Sequence, residues 1–543
     1  MAIIAKPGGT KLDKVQVKDL VANAGLKLSD GAIEDWSVLL GSLDDAIKEV
    51  LARGDDISRP DLSKYPRSDI FAPKDAEESD KGGWATRCTV TSTSPTSSLL
   101  KGKTVALKDN IALAGVRCLN GVKPVDGEWV PERDATVVTR MLDAGCTIIG
   151  KAACESACME PSSDTSYTGI IHNPYADNYA CGGSSSGSGR LVGSGAVDMA
   201  LGCDQGGSVR IPASFCGIVG HKATWGLVPY SGILGLHAEI DHCGPMTRTV
   251  RDNALLLEAI AGPDGMDDRQ PPSMPAEALQ YSSSLDKFLA ETSQDKPLSG
   301  FKIGVLKEGF ALPVMDANVD KAVRSAVADL AKLGAEVIDV SVPGHNDICT
   351  AWMCTLPYAG GRDGLLGDRT GRKELYMTDR AAGANPGISQ DLFDAWGAGA
   401  QNLYMRYLYV TKTYGSSVHA KAANLIRKYT QEYDAALSTL DALVMPTLPF
   451  PATKSIEQDD RDAGPLKRLQ YMAGVLLNTA PFNSTGHPAL SFPVGFVPAR
   501  DDAALKLPTG MQVVCKQFDD LTCLKIAAAW ERSKDWKSLS FGI

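Results

Sequence analysis

No run of apolar residues in this 543-residue chain approaches the roughly 18 that a bilayer-spanning helix requires, so nothing in the sequence reads as a membrane span. Basic charge is also short. The formal net charge is −10 and the isoelectric point about 5.3, which argues against nucleic acid or an anionic membrane surface as partner. Before Lys6 there are only five consecutive apolar residues, too few for a signal peptide, so a cytoplasmic location is expected. The thirteen cysteines are odd in number, irregularly spaced and without a CxxC pair. They read as buried thiols of a reducing compartment, not as a disulfide framework. There is no GxxxxGK[ST] phosphate loop and no HExxH zinc motif, and Ser208, followed by Val209 and Arg210, does not stand in a GxSxG nucleophile elbow.

What remains is ordinary globular composition, 44% hydrophobic and 22% charged, with apolar mass for a large core. Residues 10–53 read as helical, with apolar positions on one face of VQVKDLVANAGL and of DDAIKEVLARG, which stops at Gly54. Residues 55–100 are rich in Pro, Ser, Asp and Thr and suggest a wrapping connection or extended arm. Beyond them strand and helix patterns alternate. TVALKD, DATVVTRMLDAG and CTIIGKA give strand, helix and strand, and FKIGVLKEG, a helix ending at Gly334 and AEVIDVSVP repeat the order. DALVMPTLP reads as a buried strand ended by proline. This alternation argues for a mixed or parallel α/β sheet.

Glycines concentrate between Gly169 and Gly244, in a stretch containing ACGGSSSGSGRLVGSG and GCDQGGSVRIPASFCGIVGHKATWG. Tight packing explains scattered glycines but not two separate Gly-Gly-Ser units. A dinucleotide fingerprint fits GSGRLVGSG only loosely. Nucleophilic catalysis fits better. In DQGGS the glycines bare successive backbone N–H groups beside Ser208, and VRIPASFCG can begin a helix with Pro212 in its first turn. Donors held there would stabilise a developing oxyanion. A base is then needed. None of the seven histidines is singled out by spacing, whereas VALKDN ends an apolar strand at Lys108, where burial can hold an amine neutral.

Together, VALKDNI, GGSSSGSG and GCDQGGSVRIPASFCGIVGHKATWG resemble the amidase signature family, as do DALVMPTLP and NTAPFNSTGHPALSFPVG. The resemblance implies a large mixed, mostly parallel central sheet covered by helices on both faces. The resemblance covers a catalytic domain over 85–543, within which 310–425 is a helical specificity region, and leaves residues 1–84 as the helical arm and connection read from their own pattern. It implies a triad with Ser208 as nucleophile, Ser184 as bridging serine after a cis peptide, and Lys108 as base. The oxyanion donors would be backbone N–H groups of Gln205, Gly206, Gly207 and Ser208, with Gly183 beside the substrate and easing the cis bond. An intervening hydroxyl can accept from one partner and donate to the other, which suits a proton relay. Ser185 and Ser186 are expected mainly to pack, with Ser185 the better placed of the two to assist. Asp204 and Arg210 read as a structural ion pair, and Cys181, Cys203, Cys216 and Cys243 as buried thiols. Ser186, Cys203 and Ala223 depart from the residues usual in the family (glycine, threonine and proline).

The expected reaction is hydrolysis of a small aliphatic, aryl or cyclic amide through an acyl-Ser208 intermediate, without metal or organic cofactor. Trp352, Tyr358, Trp396 and Tyr404 either line an apolar acyl pocket or pack between helices. Alternatives are a carbamate, lactam or ester hydrolase, an A-type amidotransferase chain working with partner subunits, and a catalytically silent binding protein. The partner expected is a small-molecule amide, and a homodimer through residues 10–53 is allowed.

Overall fold

The structure, a computed structural model, describes residues 9–125, 127–380, 388–456 and 464–542. The opening residues MAIIAKPG and part of the expected specificity region, 381–387, lie outside the described residues. The chain divides into two compact units, Met1–Ser58 and Arg59–Ile543.

The first unit is a helix pair, α1 (Lys14–Asn23) and α2 (Asp30–Leu51). Asp13 and Ser29 cap their N-termini by accepting from the N–H groups of Val15 and Ala32. Gly41 lets the backbone of Thr10 cross closely, since a Cβ there would lie 1.9 Å from the Thr10 carbonyl oxygen.

The second unit is built on one twelve-stranded sheet: β1 (Arg67–Phe71), β2 (Trp84–Val90), β3 (Thr104–Lys108), β4 (Thr147–Ala152), β5 (Met199–Asp204), β6 (Val219–Lys222), β7 (His242–Thr247), β8 (Lys302–Leu306), β9 (Glu336–Val340), β10 (Ala442–Pro446), β11 (Ala489–Pro498) and β12 (Lys506–Val514). Their spatial order is β1-β2-β4-β3-β5-β7-β6-β11-β12-β10-β8-β9. The sheet is mixed, but the expected parallel majority is not found. β3 pairs in parallel with β4 and β5, and β8 with β9 and β10, while the other seven neighbouring pairs are antiparallel. The strand–helix–strand units that are readable in sequence are the parallel ones. The centre is instead made of strands that double back, such as β11 and β12, joined by only residues 499–505, a connection too short for a parallel crossover. The stretch 55–100, read from composition as a connection, contains β1 and β2, which form one edge of the sheet.

Helices cover both faces, as alternation along the strands requires. Val105, Leu107, Met199 and Leu201 pack with Val137, Val138 and Met141 of α3 (Thr136–Asp143). The intervening Ala106 and Ala200 pack instead with Leu191 and Val192 of α4 (Ser186–Ser194) and with Ala213 of α5 (Arg210–Cys216). Lys108 follows Ala106 by two residues and so belongs to the face that α4 and α5 cover. Further on, α6 (Ala317–Lys332) connects β8 to β9, capped by Asp316, and the expected helical region includes α7 (Gly344–Gly360), α8 (Ala398–Thr413) and α9 (Ser417–Leu437).

Candidate active site

Three polar side chains meet on that face. Lys108 closes β3 and is fully buried. Ser184 stands just before α4, reached through a cis Gly183–Ser184 peptide bond. Ser208 lies in the turn between β5 and α5 and is the one of the three that is partly exposed. The Lys108 amine donates to Ser184 Oγ at 2.8 Å, and Ser184 Oγ donates to Ser208 Oγ at 3.2 Å. Lys108 also donates to the Cys203 carbonyl at 3.3 Å. The sequence thus named three residues from separate segments that the fold joins into one chain of hydrogen bonds.

The turn carrying Ser208 is held by Asp204. Its carboxylate accepts from the N–H groups of Gly207 at 2.7 Å and Val209 at 3.0 Å, and from both arms of the Arg210 guanidinium at 3.0 Å. Arg210 in turn donates to the Thr479 carbonyl, Gln512 Oε1 and Asn483 Oδ1. Burial alone would raise the Asp204 pKa, but the Arg210 charge and these hydrogen bonds outweigh it and hold the carboxyl well below its usual range. The pair is structural, as its sequence position suggested. Gly207 is a correction to the expected donor set, because its N–H is engaged by Asp204 and not free for an oxyanion. Among the described residues the N–H groups of Gln205, Gly206 and Ser208 have no acceptor. Gly183 donates its N–H to the Pro161 carbonyl at 2.8 Å, so it too is engaged, and a Cβ at this position would lie 2.5 Å from the Glu160 carbonyl oxygen. Its place here is steric.

Neighbouring serines have other partners. Ser185 Oγ exchanges hydrogen bonds with the Cys203 backbone, and Ser186 Oγ donates to the buried Glu155 carboxylate at 2.9 Å. Both anchor the loop to β5 and to Glu155, and the assisting role considered for Ser185 finds no contact with Ser208 among its hydrogen bonds.

Cys158 is a site residue that sequence reasoning missed. Burial works against the ammonium form of Lys108, but the negative charge that Cys158 and Cys203 carry as thiolates outweighs it and raises the lysine pKa. The Cys158 thiol is brought down to about 7, first by hydrogen bonding with Cys154 and then by the charge of Lys108. Amine and thiol therefore compete for one proton. Burial alone, the reason the sequence offered for a neutral lysine, does not decide the matter. No spacing rule could have found Cys158, which arrives through a turn in which Ala157 and Cys158 both take left-handed backbone angles (φ 48° and 58°).

A family model described as amidase matches residues 81–524. The chain belongs to the amidase signature family. An enantioselective amidase of Rhodococcus rhodochrous is 40% identical over 441 residues, 79% of each chain. The A-type chain of glutamyl-tRNA(Gln) amidotransferase from a Synechococcus strain (CC9902) is 33% identical, covering 80% of this chain and 83% of its own. Among solved structures, the peptide amidase of Stenotrophomonas maltophilia superposes with a TM-score of 0.64 at 27% identity, covering 81% of this chain and 84% of that one. As an amidase signature protein the chain is a hydrolase acting on carbon–nitrogen bonds.

A cavity of about 530 Å³ reaches the relay through Cys158 and Gln205, and is otherwise walled by Asn120, Tyr230, Leu236 and Asp241 together with charged residues of 363–380; Lys108, Ser184 and Ser208 themselves are not among its lining residues. Its wall is more polar than the aromatic pocket considered from sequence. Trp352 is not in the lining, but its Nε1–H donates to the Gln205 carbonyl at 3.1 Å, buttressing the turn. Trp396 and Tyr404 pack on each other with ring centroids 5.7 Å apart, and Tyr358 lies 6.5 Å from Tyr407. Those three follow the helix-packing alternative. The Gln205 side-chain amide donates to the Tyr230 hydroxyl and to Asp241, a connection no motif announced.

Proposed function

We propose that the protein hydrolyses small aliphatic, aryl or cyclic carboxamides to a carboxylate and ammonia or an amine, through an ester on Ser208. The observation that carries this reading is the unbroken contact Lys108–Ser184–Ser208, at 2.8 and 3.2 Å, beside a cavity of small-molecule size. In the resting arrangement the lysine donates toward the serines. Hydroxyl hydrogens rotate, so once Lys108 has lost its extra proton the same contacts run the other way. Ser208 then gives its proton to Ser184, and Ser184 gives its own to the amine. Ser208 Oγ attacks the amide carbon, and the free N–H groups of Gln205, Gly206 and Ser208 stabilise the oxyanion. The proton returns to the leaving nitrogen and the C–N bond breaks. Water, activated by the same relay, hydrolyses the ester and regenerates Ser208. The reaction calls for no cofactor, and the cytoplasm is its proposed location.

The 33% identity to an A-type amidotransferase chain favours a second reading, in which the protein works within a larger assembly. A panel of primary amides, anilides, lactams and carbamates, scored by ammonia or amine release from the purified chain alone, separates the two. Release from the amides, with a fluorophosphonate attached to Ser208 and absent in Ser208→Ala, is expected. No turnover by the isolated chain together with co-purifying subunits would shift the assignment to the amidotransferase, and labelling at another side chain would remove Ser208 as nucleophile.

A further inference from the structure

Away from the serine–lysine relay, one loop and one helix bring two histidines and a glutamate together. His237 and Glu239 stand on the loop leading to Asp241, and His419 stands in the first turn of α9. One ring nitrogen from each histidine and a carboxylate oxygen lie within 4.8 Å of one another. Glu239 Oε2 is 3.3 Å from His237 Nε2, and Glu239 Oε1 is 3.7 Å from His419 Nε2. His237 is only 5% exposed, yet neither of its ring nitrogens has a hydrogen-bond partner among the described residues. The approach of Nε2 to Glu239 is therefore close without being aligned as a hydrogen bond. A buried imidazole in that state is an anomaly that asks for a ligand.

His419 supplies the second sign. Its Nδ1 lies 3.4 Å from the Thr355 carbonyl of α7. A proton on Nδ1 points there, which leaves the Nε2 lone pair facing Glu239. A backbone carbonyl on the far nitrogen is the usual device that fixes the tautomer and orientation of a metal-bound histidine. Two imidazoles and one carboxylate form a donor set suited to zinc with one position left for water. The Glu239 side chain is 51% exposed, which opens a path from solvent. The nearby positive charge of Arg362 is paired with Asp363 at 2.7 Å.

We propose that His237, Glu239 and His419 bind a divalent transition-metal ion, zinc by donor type, through the two Nε2 atoms and the carboxylate. The ion would fasten the loop to α9. That loop continues into Asp241, which lines the cavity and holds the Gln205 side chain at 3.1 Å, so the site would brace the cavity wall without entering the chemistry.

The test uses the full-length protein stripped with a chelator. Zinc is titrated by calorimetry at neutral pH, and cobalt(II) is added in parallel and followed by visible absorption. One saturable equivalent is expected, with the intense bands of four-coordinate cobalt. His419→Gln and Glu239→Gln, both at positions with solvent access, are each expected to weaken binding on the order of 10–100-fold and to abolish those bands. Both should melt like wild type without metal and lose the rise in melting temperature that zinc gives the wild-type protein. No saturable binding would overturn the proposal and leave Glu239 as an acceptor between two histidines. Binding and spectra shared by wild type and both variants would also overturn it, by placing the ion on cysteine sulfur.

Discussion

At the scale of single residues, chemistry depends on which proton sits where. If Lys108 must be neutral to act, activity falls as pH drops through its pKa. The thiolates of Cys158 and Cys203 raise that pKa, so removing one should lower it. Cys158→Ser is expected to move the acid limb of the kcat/KM profile to lower pH, and a limb that stays in place would show that the thiol does not share the lysine proton. Ser208→Ala should reduce kcat at least about a thousandfold with the melting temperature unchanged, and Lys108→Ala nearly as far, as groups that act as a unit do. Asp204 is different because it serves the fold. Its folded-state pKa is depressed, so its contribution to stability is present above the ordinary carboxylate pKa near 3.8 and is lost as pH falls through the lower folded value. Asp204→Asn leaves Arg210 buried without its countercharge and is expected to lower stability by about 3–5 kcal/mol in urea denaturation at neutral pH. The deficit should shrink in acid. The three relay residues were legible in sequence because the reaction allows few residue types in those slots. The capture of the Gly207 N–H by Asp204 was not, since it depends on the backbone angles of a turn of glycines, nor was the place of Cys158 near Lys108, which depends on how distant segments meet.

Among the elements, the turn 204–209 is shaped as much by its neighbours as by its own glycines. Trp352 of α7 donates to the Gln205 carbonyl, and Thr479 Oγ1 donates to the Gly206 carbonyl at 2.6 Å. A Cβ on Gly206 would meet the Trp352 ring at 3.0 Å. Fixing the Gln205 carbonyl fixes the Gly206 N–H at the other end of the same peptide unit, a donor offered to an oxyanion, while fixing the Gly206 carbonyl holds the Gly207 N–H on Asp204. Trp352→Phe keeps the ring's bulk and loses the N–H, an exchange of about 1 kcal/mol. The expected outcome is a fall of roughly fivefold in kcat with little change in KM, read from steady-state kinetics. An effect on KM alone would mean that Trp352 acts on substrate binding instead. The parallel βαβ units were legible because hydrophobic period and glycine punctuation mark them locally. The antiparallel centre was not, since β6 is only four residues long and β5 and β6 are separated in space by β7, which follows both in sequence. β1 was hidden for a related reason: an exposed edge strand, RSDIF, lacks the apolar pattern by which strands are read.

For the molecule as a whole, the decisive question is which part must be present for catalysis. All twelve strands, the three relay residues and the cavity belong to residues 59–543, and the family match begins only at residue 81. The helix pair in Met1–Ser58 contributes no lining residue to the cavity. It does expose Leu20, Leu43, Val50 and Leu51, at 58%, 54%, 68% and 78%. Apolar side chains in that number on one helix pair are suited to burial against a second copy, the homodimer that the sequence allowed. Deleting residues 1–58 should then separate two properties. Turnover per chain on the best amide of the panel should stay within about twofold, because no reacting group is removed. Mass by light scattering after gel filtration should fall from that of a dimer to that of a monomer, and Val50→Glu with Leu51→Glu in the full chain should do the same by placing charge where apolar surface would be buried. A full-length protein that is already monomeric would refute the helix pair as an interface, and loss of turnover in a deletion variant that still folds would show that the first unit has a part in the reaction.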